Sequence, residues 1–236
     1  MVKLTDLLFE GRYDKMVGDI TKKIMMHIKK SYHVTSPDYL GRRVRCSPEE
    51  KPVCPDIDNP IPLGGFNDSN INMEVSVGLS ILRSLEVTDY VVDGWAETAY
   101  GNIIIAVHLN YKKEPKSYNK LIGELKNAIR HEIEHLTQHG WNAKFGKTKK
   151  IQWKRMKKIK SSSDELWKYF ILSSEVEPNL HGIYIQAKTN KVPYAKAVRA
   201  YLDDLEHQGF VPQDKKNIIY NAWKKAAKKV GGLPPL

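Results

Sequence analysis

His131-Glu132-Ile133-Glu134-His135 puts two metal-ligating side chains and a carboxylate of catalytic type within five residues. The spacing is His-Glu-x-x-His. On a helix, histidines four residues apart stand one above the other, because 3.6 residues make a turn. Both imidazoles can then reach one tetrahedral zinc ion at roughly 2.0–2.1 Å per bond. Glu132, directly after the first histidine, projects toward the same opening and can take a proton from a metal-activated water. The pattern therefore divides into two ligands and one general base, the arrangement of metal-assisted hydrolysis.

That chemistry needs a helix, and the flanking residues predict one. Ile122, Leu125, Ile129, Ile133 and Leu136 recur at three- and four-residue spacing as a single apolar stripe, with His131 and His135 beside it. Ser117 is placed to cap the start and Gly140 to end the helix. This context favours metal binding over a pair of satisfied surface histidines.

A catalytic zinc usually has three protein ligands and one open position. The candidates downstream are His139, Glu175, Glu177 and His181. Three ligands in a row along one straight helix would span about 12 Å at 1.5 Å per residue, so His139 is expected to serve outside the metal shell. It also lies at the wrong spacing for an extended His-x-x-Gly-x-x-His pattern. Ser174-Glu175-Val176-Glu177 reads as a capping box that hands Glu177 a structural role. Glu175 has no such role and is the favoured third ligand, with the others left open. Donors for an oxyanion are His139, His181 and Tyr184, unranked.

The elements around the motif predict an α+β fold. Residues 1–33 form a helical lead-in: Leu4, Leu7, Leu8 and Phe9 open it, then Tyr13, Met16, Val17, Ile20, Ile24 and Ile28 keep helical spacing. Residues 34–70 are broken by Pro37, Pro48, Pro52, Pro55, Pro60, Pro62 and Gly64-Gly65, and read as a long loop. From Ile71 to Ile81 apolar and polar residues alternate as in a half-buried strand, followed by strands at 90–98 and 103–111 around an Ala99-Tyr100-Gly101-Asn102 turn. The expected core, 71–190, is thus a small antiparallel sheet packed on the motif helix. Its strand at 103–110 is the candidate edge for holding an extended peptide. Past a basic linker at 144–160, Ser162-Ser163-Asp164-Glu165 opens a helix through Ile171, and the capping box opens another, with Pro178 in its first turn. Residues 191–236 read as a C-terminal extension with helices near 193–207 and 213–229, separated by Pro212.

Composition narrows the partners. The chain has 236 residues, 41% of them hydrophobic, enough for a packed core. No stretch approaches the roughly 18–20 apolar residues of a membrane span, and the N-terminus lacks the apolar region of a signal peptide. Cys46 and Cys54 are the only cysteines, which excludes a disulfide-rich scaffold; two thiols without further clustered ligands are expected to stay reduced. The net charge of +11 is concentrated at Lys144, Lys147, Lys149, Lys150, Lys154, Arg155, Lys157, Lys158 and Lys160. Such a run can bind phosphates, but no nucleic-acid module accompanies it, so a solvated linker is favoured.

Three stretches together resemble small gluzincin-type metallopeptidases, many of them phage-encoded. They are the opening residues to Asp14 (Lys-Leu-Thr-Asp-Leu-Leu-Phe-Glu-Gly-Arg-Tyr-Asp), Arg130-His-Glu-x-x-His-x-x-Gln138, and Ser173-x-Glu175-Val-Glu177. The resemblance covers roughly residues 70–190. This chain has Pro178 where alanine commonly follows Glu-x-Glu in the family. The resemblance implies a zincin-like core and a zinc ion held by His131, His135 and Glu175. It also implies Glu132 as catalytic acid/base, a protein or peptide substrate, and a place in the host cytoplasm or a virion. The first expectation is therefore a zinc-dependent metallopeptidase. The alternatives are a catalytically silent zincin-fold structural protein, such as a virion-associated component, and a nucleic-acid-associated basic protein.

Overall fold

The computed structural model describes residues 13–34, 60–68, 71–82, 90–97, 101–110, 118–141, 159 and 163–227. The lead-in at Leu4–Phe9, the Cys46 and Cys54 pair and the basic run up to Lys158 lie outside the described residues. The chain is α+β, with a four-stranded sheet and a larger helical part. It divides into two compact units, Met16–Ile129 in one and Arg130–Leu236 with the residues up to Lys15 in the other.

The first unit holds most of helix α1 (Asp14–Val34), the strands β1 (Ile61–Asp68), β2 (Ile71–Leu82), β3 (Tyr90–Glu97) and β4 (Asn102–Asn110), and the first half of helix α2 (Tyr118–Trp141). α1 buries the residues that its spacing predicts, Met16, Val17, Ile20, Ile24 and Ile28, and ends at Val34, one residue past the expected lead-in. The sheet departs from expectation in two ways. It has a fourth strand, β1, inside the stretch read as loop. Pro60, Pro62 and Gly64-Gly65 conceal it, yet proline is tolerated on an edge strand and at a bulge. β1 is such an edge, and its register slips between Pro62 and Gly64, where Gly64 takes φ +96°.

The second departure concerns pairing. The order is β1-β2-β4-β3; β1/β2 and β3/β4 are antiparallel, but β2 and β4 run parallel. β4 is therefore an interior strand, with both edges bonded. The expectation that 103–110 offers a free edge to a peptide is corrected. Registry brings Val75, Val77 and Leu79 beside Ile103, Ile105 and Val107, all buried, so one sheet face is a continuous apolar surface. Leu121, Leu125 and Ile129 of α2 are fully buried in the same unit, and Tyr90 on β3 donates a hydrogen bond to Glu124 Oε1 (3.2 Å). α1 is tied to the sheet by Lys23, whose Nζ donates to the Leu63 carbonyl at 2.8 Å and sits 4.6 Å over the Phe66 ring.

α2 begins directly after Ser117, as its sequence predicts, but continues through Gly140, which is not its stop. Its core stripe is Leu121, Leu125, Ile129 and Ile133, while Ile122 and Leu136 are half-buried.

The second unit contains the motif half of α2, a 3₁₀ helix (Ser163–Ile171), and helices α3 (Ser173–Asn190), α4 (Tyr194–His207) and α5 (Lys216–Ala227). The nine-residue 3₁₀ helix replaces the expected α-helix, a long run for that geometry. Phe170, Val176, Leu180, Ile183, Val198, Leu202, Ile219, Tyr220 and Trp223 pack as one core. Trp223 is fully buried, and its indole N–H donates to the Phe170 carbonyl at 2.7 Å. The C-terminal helices fall where their spacing predicts, either side of Pro212. Among the described residues no helix is long and apolar enough to cross a membrane.

α3 starts at Ser173 after Leu172, which has no side-chain cap bond, so the Ser174/Glu177 capping box does not form. Pro178 therefore lies past the first turn, where its missing N–H leaves the Ser174 carbonyl without its usual helical partner. At the other end Lys191 adopts the left-handed conformation, φ 55° and ψ 41°. A β-carbon is strained there and glycine is not. Lys191→Gly is expected to raise stability by about 0.5–1 kcal/mol, read as a higher urea midpoint. An unchanged or lower midpoint would contradict strain at this cap.

Candidate metal centre

α2 and α3 bring the three favoured ligands together. His131 and His135, one turn apart on α2, direct their Nε2 atoms to points 3.0 Å apart, with the rings inclined at 73°. Glu175, near the start of α3, places Oε2 3.4 Å from His135 Nε2 and 3.7 Å from His131 Nε2. The carboxylate is nearly buried, at 4% side-chain exposure, whereas the imidazoles keep 17% and 18%, so the cluster opens on the histidine side.

These atoms fit a metal ion better than they fit one another. Glu175 Oε2 is buried and has no well-formed hydrogen bond, although both imidazoles lie close by. Such an orphan costs free energy unless something else satisfies it. A tetrahedral site with arms of 2.0–2.1 Å has ligand–ligand edges of about 3.3–3.4 Å. The three observed separations straddle that value. Two nitrogens and one carboxylate oxygen also form the donor set of catalytic zinc sites. This His-His-Glu group can hold a metal ion.

Electrostatics bind the cluster into one unit. Burial works against charge on both His135 and Glu175. For His135 this is outweighed by the Glu175 carboxylate, with Glu132 and Glu134 beyond it, and its pKa is raised. Glu175 is held well below the usual carboxylate range by the two histidines and by a hydrogen bond from Tyr169. Tyr169 reaches in from the 3₁₀ helix; burial, then the Glu175 and Glu132 charges, push its pKa up, so it stays protonated and serves as a donor. Glu132 is buried, and its charge is felt by both His135 and Tyr169.

The other candidates go elsewhere. His181 donates from Nδ1 to Glu134 Oε1 at 2.7 Å, and Arg130 pairs with the same oxygen. Tyr184 packs edge-on against Tyr194, with ring centroids 5.4 Å apart. Glu177 is not in the cluster, and the His139 side chain lies outside the described residues. Tyr169 is the site residue that sequence reasoning missed. It stands in no motif, and it is carried on the 3₁₀ segment that precedes Glu175.

Compared with known proteins, the chain matches no family model, no curated protein and no solved structure.

Proposed function

We propose that this chain is a zinc-dependent peptidase of the gluzincin type, with His131, His135 and Glu175 as ligands and Glu132 as general base. The observation that supports it is the meeting of Glu175 with His131 and His135, the nearer of them forty residues earlier in the chain, at zinc-site spacing with a buried glutamate beside them. A zinc ion held by these three side chains would supply the Lewis acidity that peptide hydrolysis needs, for activating water and polarising a carbonyl. Glu132 accepts the proton of the attacking water and returns it to the leaving amine. Glu175 is kept ionised by its neighbours, and Tyr169 steadies it by hydrogen bonding, as ligand carboxylates require. A protein or peptide substrate would approach from the histidine side, the more exposed side of the cluster.

The test is direct. The zinc-loaded chain, incubated with an unfolded protein and with a mixed peptide library, is expected to generate new amino termini, detected by mass spectrometry. Chelation should stop the cleavage and added zinc restore it. Tight zinc binding with no cleavage of either substrate would overturn the peptidase reading and favour a zincin-type structural protein.

A further inference from the structure

Glu175 sits on a turn that lacks the usual supports. Leu172 provides no side-chain cap, and Pro178 provides no N–H to the Ser174 carbonyl. Its backbone keeps the Glu175 N–H bond to the Leu172 carbonyl at 2.9 Å, and a side chain one turn further on adds to it. Asn179, buried at 3% exposure, donates from Nδ2 to the Glu175 carbonyl at 2.7 Å. Its Oδ1 in turn accepts a hydrogen bond from the Tyr201 hydroxyl of α4 at 3.2 Å. The amide is thus oriented at both ends, and its two partners are the ligand residue and a C-terminal helix. A second strut runs parallel to this one. Trp223 of α5 packs 6.0 Å from the Tyr201 ring and donates to the Phe170 carbonyl, fixing the segment that carries Tyr169 to Glu175.

We infer that Asn179 and Tyr201 are positioning residues for the third metal ligand, and that the C-terminal helices form a buttress for the metal centre. The inference rests on the metal-binding reading above. Ligand geometry depends on groups beyond the ligands, and losing one typically weakens metal binding about ten- to a hundredfold. The Tyr201 hydroxyl bonds to Asn179 and not to Glu175 itself, so if it positions the ligand through that amide the effects of removing both do not add.

The experiment measures zinc affinity by chelator competition and the visible absorption of the cobalt(II)-substituted protein, with thermal unfolding to verify folding. Tyr201→Phe removes only the hydroxyl. The control is Tyr194→Phe, which removes a matching hydroxyl on the same helix, bonded to the Leu180 carbonyl at 3.1 Å and away from Glu175. Tyr201→Phe is expected to weaken zinc about tenfold and shift the cobalt bands, and Tyr194→Phe to leave both at wild-type values. Asn179→Ala should reproduce the loss, and adding Tyr201→Phe to it should weaken zinc no further. If Tyr201→Phe matches Tyr194→Phe while the wild type binds zinc, the buttress is overturned and the metal centre stands. A wild type that takes up no zinc overturns both.

Discussion

Glu134→Ala is expected to destabilise the folded chain by about 3–5 kcal/mol, the cost of removing one partner from a buried ion pair. Glu134 lies inside the metal-site motif but does not face the ligand cluster. It bridges Arg130, one turn back on α2, and His181 on α3. Arg130 is 5% exposed and its guanidinium lies 5.0 Å over the Tyr13 ring, so without Glu134 a buried charge is left, among the described residues, with an aromatic face. Chemical denaturation reads the loss directly. Replacing Arg130 by methionine together with Glu134 by leucine should recover much of it, since the unpaired charge rather than the missing bond carries the cost. If that double replacement proves no better than Glu134→Ala alone, the explanation fails. The same pair sets an acid limit. Burial alone would raise the Glu134 pKa, but His181 and Arg130 lower it to about 2 from 4.5. A folded-state pKa below the unfolded one stabilises fully above the unfolded value and is lost as pH falls. In the metal-free chain this contribution should fade between pH 4.5 and about 2, a slope absent from Glu134→Gln.

Glu132→Gln should lower the rate of peptide hydrolysis about a hundred- to ten-thousandfold while leaving zinc content unchanged. The amide fills the space of the carboxylate but cannot accept a proton. Glu132 is buried beside the cluster, and its charge reaches His135 and Tyr169 without its being one of the three converging ligands. Loss of turnover with metal retained separates a base from a ligand. Turnover near the wild-type rate would assign the proton transfer to another group, and loss of zinc would make Glu132 part of the binding set.

The motif helix was legible because its signal is local. Apolar residues three and four apart define the buried stripe, and the histidine spacing fixes which face carries both imidazoles. The C-terminal helices were legible for the same reason, with Pro212 between them. Strand alternation carries less. It tells which residues share a face but not which strand is the neighbour, so the parallel β2/β4 pairing and the interior position of β4 could not be read from it. β1 was hidden because proline and glycine are loop signals everywhere except at edges and bulges. Glu175 is instructive. The capping box favoured it by giving Glu177 a structural task, yet that box does not form; the structure joins Glu175 to the imidazoles for reasons of helix packing. Tyr169, Asn179 and Tyr201 follow no spacing rule at all. They reach Glu175 through a 3₁₀ segment, a helix bonding back on itself and a distant helix, and only the folded chain brings them together.

The central claim is that His131, His135 and Glu175 hold one zinc ion. The most direct measurement is elemental metal content after zinc dialysis, on wild type beside His135→Ala and Glu175→Ala. The account predicts about one zinc per chain in the wild type, as a single set of three protein ligands with one open position requires, and its loss in both variants. A wild type without zinc, or a Glu175→Ala variant that keeps its zinc, would contradict it.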